Sequence, residues 1–314
     1  MTEFETISLH QGDCIGLAAP AHAVNPEDIE QGRALLERYG YRVKVAANAL
    51  DQDDDEILNE FAGPDARRVA SFNEMLANDE IDGICCLTGG YGVSRILSQI
   101  DYDALRNAPK LITGFSDITA LHLAVYRETG LASLHSPNID SLPLIPMTET
   151  AWITALQGSP APIPSSMADL FSEADPLQCW RPGRAEGVLV GGNLTLVAAL
   201  EGTPHALPRD EDVILFLEDV GEFAYRIDLM LQQLKMAGAF DRIRGVLLGQ
   251  FSKRRAQKTE PEGLLREVLR AFFETLEIPV MANVPIGHVK KNLTVAHGAR
   301  VMLDAGAKEM TYLN

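Results

Sequence analysis

Three short stretches of the chain carry residue types that could open an acyl bond. Ser116 lies in KLITGFSDITALHLAVYRETG, residues 110–130. Leu111 and Ile112 read as a short buried strand, Gly114-Phe115-Ser116 as a tight turn, and Asp117 as the opening of a helix. Ile118, Leu121, Ala124 and Val125 recur at three- and four-residue spacing, and Gly130 is a C-terminal stop. A serine on such a turn points its hydroxyl over the end of a sheet. The N–H groups at the helix start can then face an oxyanion, helped by the helix dipole. The stretch is not G-x-S-x-G, because Ile118 stands where the second glycine would be. Serine is also a favoured helix N-cap, so on spacing alone a cap and a nucleophile both remain open.

The second stretch is the apolar run 213–217, which ends in Glu218-Asp219, and the third is PIGH, ending in His288. Acyl transfer needs a hydroxyl, a base to take its proton, and an acid to orient that base. Ser116, Glu218 and His288 supply these types, each at a strand end or tight turn. Seven histidines and 44 acidic residues offer many other combinations, so types alone do not select this one.

The elements that must hold these residues alternate strand and helix. Residues 13–19 form a first buried strand. Asn25-Pro26-Glu27-Asp28 has the form of a helix N-cap, a proline at the first helical position and acids in the first turn, and this helix stops at Gly40. Residues 41–45 are a second strand, 65–78 a helix with Val69, Phe72, Met75 and Leu76 inward, and 81–87 a third strand. That strand runs into Thr88-Gly89-Gly90-Tyr91-Gly92, before a helix with Ser94, Arg95, Ile96 and Leu97. AAPAHAV after the first strand excludes a G-x-G-x-x-G dinucleotide fingerprint. The glycine loop lacks a P-loop lysine, so it reads either as a plain turn or as backbone donors brought close to a reacting carbonyl. His135-Ser136-Pro137 stands at the same rim or is structural. The alternation predicts a doubly wound, mostly parallel α/β sheet over residues 1–150, with ligands at the carboxyl ends of its strands.

From 143 to 187 the chain turns proline-rich, with Pro143, Pro146, Pro160, Pro162, Pro164, Pro176 and Pro182, and with Ser165 and Ser166 among them. It reads as a connection with one short helix near Trp152, and residues 151–186 are expected to be a linker. Residues 187–314 form a second, smaller, β-rich domain carrying Glu218 and His288. Its helices are expected over 225–238 and 262–275, and a strand over 245–251.

Length and composition set outer bounds. The chain has 314 residues, 46% hydrophobic and 23% charged, with a formal net charge of −17. So acidic a chain repels nucleic acid and anionic membrane, and neither is an expected partner. The acidic run 51–56 and the Lys253-Arg254-Arg255 patch read as solvated loops. Cys14, Cys85, Cys86 and Cys179 show no metal or disulfide spacing, and the first three lie in apolar runs. No apolar run approaches the roughly 20 residues of a membrane span, and the N-terminus lacks a signal pattern. A soluble cytoplasmic protein is expected.

TGGYG at 88–92, GFSDITAL at 114–121, GGNL at 191–194, Glu218 followed by YRIDLMLQQL, and PIGH at 285–288 together resemble the LD-carboxypeptidase family of serine peptidases. The resemblance spans almost the whole chain. It implies Ser116 as nucleophile, His288 as general base, Glu218 as the residue orienting it, and backbone N–H groups of Asp117, Gly89 and Gly90 as oxyanion donors. It further implies no metal or cofactor, a homodimer, and a muropeptide tetrapeptide as substrate, cut between an L-centred diamino acid and terminal D-alanine during cell-wall recycling. Tyr91, Asn193 and Arg226 stand as substrate-binding candidates. Arg95 and Lys290 join Arg226 as possible partners of the terminal carboxylate. Two positions depart from the family: Thr88 stands where an arginine often opens the glycine loop, and Ala21 where a serine often follows Ala-Pro. An immunity-type relative that cleaves acyl-sulfamoyl adenylates is the alternative; it would need an aromatic surface for the base, and both tryptophans, Trp152 and Trp180, lie near the expected linker. A non-catalytic binding protein on the same scaffold is a third reading, against which the intact triad residues weigh.

Overall fold

Short runs of β-branched and aliphatic residues alternate with amphipathic helices from residue 14 onward. The computed structural model describes residues 7–52, 60–163, 176–252 and 260–313. Pro164, Ser165, Ser166, most of the acidic run 51–56 and the 253–255 basic patch lie outside the described residues. Two compact units form: residues 5–160 with 294–296, and 161–293 with 297–314 as the main part of the other.

The first unit contains β1 (Cys14–Ala18), α1 (Pro26–Arg38), β2 (Arg42–Val45), α2 (Asp65–Ala77), β3 (Gly83–Cys86), α3 (Val93–Ile96), α4 (Tyr102–Asn107), β4 (Leu111–Gly114), α5 (Ile118–Thr129), β5 (Ser133–His135) and α6 (Pro146–Leu156). Pairing is parallel from β2 through β1, β3 and β4 to β5. This order, 2-1-3-4-5, is a doubly wound arrangement whose direction of winding reverses between β1 and β3. Ile15, Leu17, Ile84 and Ile112 are fully buried. Each such side chain contributes roughly 1.5–3 kcal/mol by leaving water. At the start of α1 the Asp28 carboxylate accepts the Asn25 backbone N–H at 3.2 Å, as the sequence pattern anticipates.

The first unit extends past residue 150. Trp152, on α6, is buried, and its indole N–H donates to Thr113 Oγ1 at 3.3 Å. Helix α6 is therefore part of this core, because a large aromatic with a satisfied N–H belongs inside. The chain also returns late: β11 (Val295–His297) forms the edge next to β5. No local pattern signals that return.

The other unit contains β6 (Gln178–Arg181), β7 (Arg184–Asn193), α7 (Leu194–Ala199), β8 (Val213–Val220), α8 (Ala224–Met236), β9 (Ile243–Ser252), α9 (Leu264–Phe273), β10 (Val280–Ala282), β12 (Arg300–Asp304) and β13 (Glu309–Tyr312). Among the described residues its sheet runs β13-β12-β7-β8-β9-β10-β6. The centre, β7 to β10, is parallel, and β12, β13 and β6 pair antiparallel at the flanks. Leu265, Leu269, Phe272 and Phe273 line the buried face of α9 at helical spacing, and Phe240 packs on Phe272 with ring centroids 5.3 Å apart.

Cys14, Cys85 and Cys86 are buried and unbridged, and burial pushes their thiols up. They act as small core hydrophobes. Among the described residues, no helix is long and apolar enough to cross a membrane, and no group of His, Cys, Asp and Glu is arranged to hold a metal ion.

Candidate active site

Ser116 sits between β4 and α5 with φ +65°, in the left-handed region that side-chain-bearing residues rarely occupy. Such strain persists only where surrounding structure over-determines it. Here the surroundings are specific. Asn138 Oδ1 accepts the Phe115 N–H at 2.9 Å. A methyl group on Gly89 would lie 2.9 Å from Ser116 Cβ and 3.2 Å from both Ser116 Oγ and the Asp117 nitrogen. Only glycine lets the loop after β3 approach the serine turn this closely.

The buried ring of His122 braces the strand beneath. Its Nε2 lies 2.8 Å from the Gly114 carbonyl and its Nδ1 2.8 Å from Ser133 Oγ. A carbonyl only accepts, so Nε2 carries the hydrogen and Nδ1 accepts from the Ser133 hydroxyl. Burial drives the His122 pKa down to about 4, which keeps the ring neutral.

Asp117 differs from its expected place. Helix α5 begins at Ile118, and Asp117 occupies its N-cap position without capping it. Its carboxylate instead accepts the Val93 N–H at 2.8 Å, at the head of α3. It thereby ties the serine turn to the end of the glycine loop. Burial raises its pKa to about 6, against the lowering effects of the Val93 hydrogen bond and of Arg68. Arg68 is itself fully buried. Its guanidinium donates to the carbonyls of Pro20 at 2.5 Å, Gly92 at 3.0 Å and Gly63 at 3.3 Å, pairs with Asp65, and lies 4.5 Å over the Phe61 ring.

The other unit contains an acid and a histidine already joined. Glu218, near the end of β8, is fully buried, and its Oε2 lies 2.7 Å from His288 Nδ1. A carboxylate oxygen accepts, so Nδ1 donates and Nε2 keeps its lone pair. Asn292 Oδ1 accepts the Gly287 N–H at 2.9 Å and fixes the turn leading into His288. The next residue, Asp219, accepts from the Thr195 N–H and hydroxyl, each at 2.9 Å, and holds the start of α7. Burial, then the Glu218 charge, raise its pKa to about 6.

Profiles of the LD-carboxypeptidase N-terminal and C-terminal domains match residues 15–136 and 186–303. The chain belongs to the LD-carboxypeptidase family. It is 33% identical, over 305 residues, to a Bacillus subtilis (strain 168) protein named as a probable murein peptide carboxypeptidase, covering 96% of this chain and 92% of that one. It is 28% identical to the Microcin C7 self-immunity protein of Escherichia coli, over 96% of this chain and 93% of that protein. Among solved structures, the muramoyltetrapeptide carboxypeptidase from Oxalobacter formigenes superposes with a TM-score of 0.76 at 28% identity, covering 95% and 97% of the two chains.

The remaining candidates fall in distinct places. Tyr91 is exposed at the tip of the glycine loop, with its ring 5.7 Å from that of Phe61. Asn193 is buried opposite Glu218 in the β7–β8 register, and its Oδ1 accepts the Leu196 N–H at 3.4 Å. Arg226 is held by Glu222 at 2.6 Å and Arg95 by Asp65 at 2.8 Å, so either would exchange a partner to take a substrate carboxylate. Thr88, at the family's usual arginine position, donates to Asp140. His135 ends β5 beside Gly114, at the carboxyl end of the strands, and is buried there with its ring edge-on to Phe115 at 6.1 Å. Trp180, near the expected linker in sequence, lies on β6 of the other unit, on a cavity of about 230 Å³ lined with Gln178, Gln250, Arg266 and Asn283.

No motif or spacing in the sequence singles out Asn138, Asn292, His122, Arg68 or His22. Each binds a backbone group outside its own element, five residues away for Asn292 and 69 for His22, and a single polar side chain that does this has no periodicity to betray it.

Proposed function

We propose that this member of the family is a serine LD-carboxypeptidase that releases terminal D-alanine from muropeptide tetrapeptides, cutting after the L-centre of the diamino acid. The observation that carries the reading is the 2.7 Å contact between His288 Nδ1 and the fully buried Glu218 carboxylate. It leaves Nε2 as the basic nitrogen and stabilises the imidazolium formed when that nitrogen takes a proton. Ser116 Oγ attacks the scissile carbonyl as its proton passes to His288. The N–H groups of Asp117 and of the Gly89-Gly90 loop receive the oxyanion. His288 then protonates the departing amine of D-alanine, an acyl ester remains on Ser116, and water activated by His288 releases it. No metal or cofactor enters this sequence. Recycled cytoplasmic muropeptides are the proposed source of substrate, and a homodimer the proposed assembly.

D-alanine release from a tetrapeptide, measured beside its LL-configured control and an acyl-sulfamoyl adenylate, tests this. Release from the tetrapeptide alone supports the carboxypeptidase reading. Silence on the tetrapeptide with cleavage of the adenylate overturns it.

The second reading, an immunity-type hydrolase of acyl-sulfamoyl adenylates, draws support from Trp180. Its ring, flanked by amides and by Arg266, lines a cavity that also contains Gly249, and a methyl on Gly249 would lie 3.1 Å from Glu218 Cβ. An aromatic face with amide donors is what a purine would require.

A further inference from the structure

His22 stands just after β1, beside the point where the strand order reverses between β1 and β3 and where doubly wound sheets bind ligands. It touches the glycine loop three times. Its backbone N–H donates to the Gly89 carbonyl at 3.3 Å. Its Nε2 accepts the Tyr91 N–H at 3.1 Å. Its ring lies flat against the residue between, so that a methyl on Gly90 would sit 2.3 Å from Nδ1. One residue thus pins the loop on both sides of Gly90. Gly89, the near end of that loop, is in turn the residue against Ser116 and the Asp117 nitrogen.

We propose that His22 is a positioning residue whose neutral Nε2 holds the oxyanion-binding loop in place, and that a proton on Nε2 releases the loop and lowers turnover at acid pH. This rests on the assignment of Gly89 and Gly90 as oxyanion donors. Accepting from Tyr91 requires a lone pair on Nε2, so the single ring hydrogen sits on Nδ1, 3.5 Å from Glu60 Oε2. A second proton turns Nε2 into a donor facing another donor. The Tyr91 N–H then loses its partner and the loop must move.

The charged groups around the ring act in opposite senses. Glu60, mostly exposed, favours the imidazolium, and Arg68 disfavours it. Arg95, 5.7 Å over the Phe61 ring, is neutralised by Asp65. Partial burial outweighs all of these and brings the His22 pKa below its ordinary value. The loop is therefore held at neutral pH and released as pH falls through that lowered value.

The test pairs a rate with a structural signal. His22→Ala should lower kcat roughly ten- to a hundredfold at pH 8 with little change in KM, less than the 10²–10³ of losing an oxyanion donor outright. His22→Gln, whose amide oxygen replaces Nε2 as acceptor and does not titrate, should restore most of that loss. It should also remove the steeper, lower-pH part of the acid limb, leaving the ionisation of the catalytic base alone. An acid limb identical in wild type and His22→Gln overturns the proposal. Independently of any substrate, the ¹⁵N resonances of the His22 ring and the Tyr91 amide should titrate together in the wild type. In His22→Gln the Tyr91 signal should be flat. A Tyr91 amide that ignores His22 overturns the proposal even if D-alanine is released. Coupled titration in a protein that releases none leaves the loop device standing and removes only the substrate reading.

Discussion

Gly287 and Glu218 are in contact so close that no other residue fits the turn: a methyl on Gly287 would lie 2.4 Å from Glu218 Oε2 and 2.7 Å from its Cβ. That oxygen is the one bonded to His288. The glycine also takes φ +110°, which a side chain would strain. Its absent side chain lets the chain fold back on the buried carboxylate and deliver the next residue, His288, to it.

Gly287→Ala should therefore displace the carboxylate and misalign the imidazole. The expected loss is in kcat, on the order of 10²-fold, as for a small displacement of catalytic groups, with stability lowered by about 1–3 kcal/mol through backbone strain. Steady-state kinetics of D-alanine release and urea unfolding check the two effects. Retained kcat would show that the close contact does not align His288.

Ser116→Ala should abolish turnover and leave the fold intact, since the hydroxyl is removed while the backbone at φ +65° is kept. Residual rates should fall by roughly 10⁴-fold or more. Circular dichroism and thermal melting should match the wild type. Comparable activity in the folded variant would remove the serine mechanism.

Glu218→Gln should slow the reaction and preserve substrate binding. An amide can still accept from His288 Nδ1 but carries no charge to stabilise the imidazolium, so a loss of roughly 10²–10⁴ in kcat is expected. Single-turnover rates and equilibrium binding separate the two. An unchanged rate would mean that another acid orients His288.

Asp117 makes stability depend on pH in an unusual direction. Its folded pKa, about 6, lies above the ordinary carboxylate value of 3.8. Between the two the folded chain binds more protons than the unfolded one, so this group's contribution is full below the unfolded value and falls as pH rises through the folded value. The cost of the buried charge at pH 7.5 is about 3 kcal/mol. Asp117→Asn keeps an acceptor for the Val93 N–H and removes the charge. Its stability relative to wild type should therefore rise by about 2 kcal/mol between pH 4.5 and 7.5, the remaining third of the effect lying below pH 4.5. Urea unfolding at the two pH values measures this, and a difference independent of pH would contradict it.

Alternating strands and helices up to α6 were readable because each buries one face against the same sheet, and that burial writes a period of two or 3.6 into the chain. Asn25, Pro26 and Asp28 announced α1 for a local reason: caps satisfy backbone groups within one turn. Ser116 and Glu218 are legible because strand-end positions follow from where apolar runs stop, and His288 because Gly287 before it marks a turn. The first unit's true extent was less legible. Trp152 reads as linker in a proline-rich segment, and only its buried bond to Thr113 assigns α6 to the core.

Residue types and their spacing determined the α/β alternation, the glycine loop, the serine turn and the family motifs, since these are properties of neighbours along the chain. Tertiary structure decided what no neighbour along the chain could. It joined Glu218 to a histidine 70 residues away, turned Asp117 from its own helix to Val93, 24 residues back, and set His22 against a loop 69 residues on. Hydrogen bonds of this kind form between groups that only folding brings within 3 Å or so, and an isolated polar residue leaves no period in the sequence to mark its partner.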